Sequence, residues 1–159
     1  MKTSILRTLL VLGVALAATL VPFQANAAQC STASTAGNWA YTYTGTIFTP
    51  AGPLPAASVG HFHQDARGNI TGSQARSVAG QSGAEDISGA ISVNSDCTAS
   101  ATIDVLVNGA LQRTAALAVV FDNSGNHMRA IFQSLILPDG TTNVPVVITI
   151  DGNRVISRN

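Results

Sequence analysis

The chain has 159 residues, with eight basic side chains against eight acids, 46% hydrophobic residues and only 5% aromatic. That length suits one domain with a single core. A balanced charge without a basic cluster argues against nucleic acid and against an anionic membrane surface as partners.

The chain opens with Lys2 and Arg7, continues through an apolar run from Leu9 to Val21, and reaches Ala25-Asn26-Ala27. A positive start, a short apolar stretch and small residues at the end are the parts of a secretory signal peptide, expected here over residues 1–27 with cleavage after Ala27. The run is too short for a retained membrane span. Gln29 before Cys30 does not fit a lipid-anchored cysteine. Processing leaves 132 residues with six arginines, eight acids and a formal charge of −2. The expected location is the periplasm or the exterior. Cys30 and Cys97 are the only cysteines. An even count in an exported chain reads as one disulfide.

Residues 28–36, rich in Ser, Thr and Ala, read as a flexible lead-in, and 37–159 as one domain. From Gly37 the pattern alternates with period two, placing Trp39, Tyr41 and Tyr43 on one face of a strand. Thr49 to Pro55 contains three prolines, which predicts a loop outside any ladder. Val59 to Gly72 reads as strand, turn and strand, with Asp65-Ala66-Arg67-Gly68-Asn69 at the turn. Gly80 to Gly83 reads as a small-residue loop. Ile87, Gly89, Ile91 and Val93 share one face of the next strand, and Ala101, Ile103, Val105 and Val107 share a face of the one after. Asn108-Gly109 is a hairpin signal. Thr114 to Phe121 is nearly continuous and apolar, Asp122 to Asn126 turns the chain into His127 to Leu137, and Asp139-Gly140 turns it into Val144 to Ile150. Asp151-Gly152 is then expected to turn the chain into a last short strand, Arg154 to Ile156.

About eight strands joined by short turns, with no segment left for a crossover helix, predict an all-β antiparallel meander. Closure into a small barrel removes the exposed edges; a two-sheet sandwich is the competing architecture. An outer-membrane barrel fits worse, because seven aromatics after the leader are too few for two girdles.

Val59-Gly60, Asp65-x-x-Gly68-Asn69-x-x-Gly72 and Val93-Asn94-x-Asp96-Cys97-Thr98, followed by an apolar strand and a closing segment with arginine, resemble a group of exported bacterial proteins of unassigned function. That group is similar to the allene oxide cyclase barrel, a calycin-like fold also similar to dirigent proteins. The resemblance covers about residues 37–157 and implies the fold. Gln64 stands where the group usually has an aromatic. The plant cyclase's catalytic residues are not carried onto this chain, so its isomerase chemistry is not implied.

Candidate chemistry is sparse. His61 and His63, two apart in a strand, project from one face and could share a metal ion if His127 completed the set; otherwise they face solvent beside the turn. Glu85-Asp86 reads as a solvated acidic pair at the mouth of a strand; adjacent strand residues point to opposite faces and cannot act together as a glycosidase pair. Arg76, Arg113 and Arg129 lie within strands, as does Asp104, and each either faces water or lines a polar cavity. Arg129, pointing inward, would be the counter-ion for a carboxylate ligand. Asn69-Ile70-Thr71 reads as turn chemistry. No nucleophile elbow, phosphate-cradling loop or repeat is present, and no cofactor is expected.

The leading expectation is a non-enzymatic barrel that binds a small apolar or amphipathic molecule, with Trp39, Tyr41 and Tyr43 lining or capping the cavity. The alternatives are an isomerase or cyclase acting inside the barrel, and a metal binder using His61 and His63. The enzyme alternative needs a buried acid or base, for which Asp104 and Arg129 are the in-strand candidates.

Overall fold

A computed structural model describes residues 30–155. The leader expected at 1–27 and residues 156–159, where the last short strand was expected to end, lie outside the described residues. The described chain is all-β: β1 (Gly37–Thr49), β2 (Gly52–Gln64), β3 (Asn69–Val78), β4 (Gln81–Val93), β5 (Thr98–Val107), β6 (Ala110–Asp122), β7 (His127–Ile136) and β8 (Val146–Arg154). Every strand pairs antiparallel with its neighbour in sequence, and β1 pairs with β8, so the sheet closes into an eight-stranded barrel. The sandwich alternative is thereby excluded.

Alternation decides what faces inward. Trp39, Tyr41 and Tyr43 on β1 are all buried, while Ala40, Thr42 and Thr44, which alternate with them, are exposed. Eight strands enclose a bore just wide enough to be filled by side chains or to hold one small ligand. Two bulges, between Val105 and Leu106 on β5 and between Ala116 and Leu117 on β6, shift the register there. After the second, Phe132 and Leu135, three apart on β7, both join the core.

One end of the barrel is stoppered. Residues 30–36 are tied down rather than flexible: Gln64 Nε2 donates to Thr32 O (3.0 Å) and Thr35 Oγ1 (2.9 Å), Val93 N–H donates to Thr32 Oγ1, and Arg154 Nη2 donates to Ser34 O. The Cys30–Cys97 disulfide, closing a separation of 67 residues, anchors the plug to the start of β5. Trp39, with no exposed surface, forms the floor above it. Its indole N–H donates to Thr35 O (3.1 Å), its ring stacks on Phe62 and meets Phe121 edge-on, and the Arg154 guanidinium lies over it at 5.5 Å. Gln64 stands at this floor, where its amide joins barrel to plug in a way an aromatic could not.

Three boundaries differ from the sequence reading. Pro53 and Pro55 lie inside β2, opposite Phe48 and Thr46. The ladder with β3 begins only at Ala56, and Ala79 N–H donates to Pro55 O on that side. A strand residue points its nitrogen and its carbonyl the same way, so the missing N–H groups of both prolines face the stretch where no ladder exists. The loop expected at Gly80 to Gly83 shrinks to a two-residue turn, Ala79 (φ 48°) and Gly80 (φ 84°), with β4 starting at Gln81. Asp151-Gly152 is not a turn: β8 runs through it, pairing Gly152 with Tyr41 and Met128.

The hairpin turn between β2 and β3 is as expected. Asp65 Oδ1 accepts the N–H groups of Arg67 and Asn69, and Gly68 takes φ 91°, where an added Cβ would come within 2.2 Å of Ile91 O. Replacing both Cys30 and Cys97 by Ala should lower the unfolding free energy by about 4 kcal/mol on the loop-entropy model. Urea titration measures the loss, and far-UV circular dichroism should show the barrel retained.

Candidate functional site

Between the floor and the opposite end lies a cavity of about 310 Å³. It exists because the inner wall carries alanine at Ala101, Ala115 and Ala130, on three adjacent strands, where larger side chains would fill the bore. The rest of its wall is mostly branched aliphatic and aromatic, with Ile70, Ile87, Leu117, Phe62 and Phe132 prominent. Ile47, Val78, Leu137 and Val144 line it at the end away from the plug, and this end is the mouth.

Tyr41 and Tyr43 line the cavity; Trp39 does not and instead sits beneath it in the floor. Arg129 is corrected more sharply. It follows inward-facing Met128 and precedes inward-facing Ala130, so it points outward, is 69% exposed, and pairs with Asp122 at 3.2 Å. It cannot serve as a counter-ion inside the barrel. Asp104 is likewise on the outer side, accepting a hydrogen bond from Thr114 Oγ1.

The inward charges are the two other arginines and an acid that the sequence reading left in solvent. Glu85, 3% exposed, is on the inner face of β4, two residues before Ile87. Arg113 Nη1 donates to its Oε1 (2.8 Å) and Nη2 to its Oε2 (2.6 Å), a bidentate pair. Arg76 Nε also donates to Oε1, and Gln74 Nε2 donates to Oε2 (2.7 Å). All four acceptor positions of the carboxylate are therefore used. Asp86, next along, is exposed on the other face, so the two acids do face opposite ways.

A second layer fixes Gln74. Its Oε1 accepts from the Tyr41 hydroxyl (2.8 Å) and from Ser58 Oγ (3.1 Å). Tyr41 reaches it by lying across Gly60, which is its partner on β2 and the partner of Gln74 on β3. A Cβ at Gly60 would stand 2.7 Å from the Tyr41 hydroxyl oxygen, so this contact requires glycine. Burial acts to raise the Glu85 carboxyl, but Arg113, Gln74 and Arg76 outweigh it and hold it below its ordinary value. Burial pushes both tyrosines up, Tyr41 furthest. At neutral pH the cluster is thus an ionised acid, two guanidinium groups and two neutral phenols.

The histidines do not assemble. His61 and His63 are both exposed on the outer face of β2, and His63 Nδ1 contacts Asn38 Oδ1 at 3.0 Å. His127 is in register with Asn153, Asn153 with Ala40, and Ala40 with His61. Three strand spacings put His127 roughly 14 Å from His61, far beyond shared coordination at about 2 Å. No group of three metal-ligating side chains occurs among the described residues. His127 instead bridges Asp122 (2.5 Å) and Asp151 (2.9 Å), tying β8 to the end of β6. Compared with protein-family models and with curated proteins, the chain matches none.

Glu85→Gln should cost about 3 kcal/mol, because it leaves Arg113 partly buried without its counter-charge; urea unfolding reads the loss. His127 gives a pH signature. Its bonds to Asp151 and Asp122 raise its value above 6.5. The stabilisation is present in full below 6.5 and disappears as pH rises through the raised value. The thermal midpoint should fall over that interval, and His127→Gln should flatten the dependence.

Proposed function

We propose that this protein is an exported calycin-like barrel that binds a small apolar or amphipathic molecule in its bore, without chemical conversion. The carrying observation is the cavity of about 310 Å³, apolar along most of its wall and reached from the mouth. Its size is at the lower end of the usual range for small-molecule sites, which suits a compact ligand. The leader-like first 27 residues and the disulfide both suit an oxidising compartment. The barrel topology agrees with the resemblance to the allene oxide cyclase type of fold.

Binding is favoured over catalysis by the state of the only buried acid among the described residues. Glu85 is ionised and has four donors on its two oxygens, so no lone pair is left to take a substrate proton. Its depressed value makes it a weak base and a poor proton donor at neutral pH.

A neutral fluorescent probe, N-phenyl-1-naphthylamine, tests the reading. It should bind one site per chain with enhanced emission. Ala115→Phe, which fills the bore from β6, should weaken that binding at least tenfold while leaving the circular dichroism spectrum unchanged. A probe that stays dark in the wild-type protein, or that binds the filled variant equally well, defeats the proposal.

A further inference from the structure

The cavity wall is apolar along most of its length, but it is not neutral. Arg76 and Arg113 both line the cavity, while Glu85 is held against the sheet. Two guanidinium groups against one carboxylate leave one net positive charge facing the bore. The two arginines are used differently. Arg113 commits both terminal nitrogens to Glu85, and its side chain is 18% exposed. Arg76 commits only Nε; its side chain is 30% exposed, and neither terminal nitrogen has a hydrogen-bond partner among the described residues.

Those nitrogens are not sealed in protein, since neither is among the buried polar atoms lacking a partner. On the β4 side the facing strand residue is Gly83, and even a Cβ built there would stand 3.9 Å from Arg76 Nη2. An arginine anchored through Nε, with its two terminal amino groups free at the rim of an apolar bore, offers the planar fork that matches a carboxylate or another oxyanion. Glu85 fixes the position of that fork and cancels one charge, so the site is set for a monoanion.

We propose that the mouth is a recognition site for the negative end of a compact organic anion, with the free terminal nitrogens of Arg76 as its donors and the apolar bore holding the rest of the molecule. This rests on the binding function proposed above and adds the ligand's charge and orientation: anionic group at the mouth, apolar body towards Trp39. Cationic amphiphiles are selected against by the same charge. The low local dielectric beside Tyr43 and Val78 makes the interaction worth more than an exposed ion pair.

Three probes of nearly equal size separate charge from apolar burial: 2-naphthylacetate, 2-(2-naphthyl)ethanol and 2-(2-naphthyl)ethylamine, titrated calorimetrically into the purified protein. The carboxylate should bind at least tenfold more tightly than the alcohol, and the amine most weakly. In Arg76→Gln the advantage of carboxylate over alcohol should shrink to about twofold. Arg76→Lys, which keeps the charge but not the fork, should fall between, and it serves where the glutamine variant unfolds. Equal binding of carboxylate and alcohol, or a preference unchanged in both variants, overturns the anion site while leaving the binding barrel intact if N-phenyl-1-naphthylamine still binds. Failure of all three probes and of the neutral dye overturns both proposals.

Discussion

Pairing of β1 with β8 is the constraint on which the remaining structure depends. Thirteen residues of β1 pair with β2 on one side and nine with β8 on the other. Without the second seam the meander would be an open sheet with two unpaired edges and two faces of unequal polarity. With it, every strand has two neighbours, no edge remains to template aggregation, and one face becomes an interior. The residues of β1 reflect this position. Tyr41 and Tyr43 project into the bore and Trp39 closes it, so the strand that completes the ladder also supplies the floor and part of the wall.

An interior made this way is costly for charge, and the chain carries three charged side chains in it. Their tolerance comes from saturation. Glu85 has a donor for each acceptor position, one of those donors is Gln74, and Gln74 is in turn fixed by Tyr41 and Ser58. Five strands contribute: β1, β2, β3, β4 and β6. The network therefore reads the register of more than half the barrel, and a slip in any of these strands would strand a buried charge. Gly60 shows how local the requirement is, since the Tyr41 phenol reaches Gln74 only because β2 has no side chain beneath it.

Much of this was legible in the sequence, because a period of two carries most of the information. The strand count, the antiparallel order, the Asp65 to Asn69 turn and the outward histidines all follow from alternation and turn chemistry. The same parity also held the site. Glu85 shares a face with Ile87, Arg76 with Ile70, and Arg113 with Ala115, whereas Arg129 falls opposite Met128. What hid Glu85 was the turn: Gly80 to Gly83 looks like a loop by composition, and only the two-residue turn at Ala79-Gly80 extends β4 far enough back to bring the acid inside. Pro53 and Pro55 were misleading for a related reason. Composition says that proline leaves ladders, but not that one side of β2 has no ladder to leave. The plug was illegible because the carbonyls and hydroxyls of Thr32, Ser34 and Thr35 accept from Gln64, Val93 and Arg154, residues far along the chain. The β6–β7 bulge shifts facing without any glycine or proline to announce it.

The stopper has a consequence for traffic. A tube fastened shut at one end by a covalent bond and a layer of aromatic rings has a single doorway. A molecule lodged inside must back out through the mouth, and a competitor cannot push it along from behind. For a ligand of the proposed kind, replacement would pass through a vacant barrel, its pace set by departure and indifferent to how much competitor waits outside.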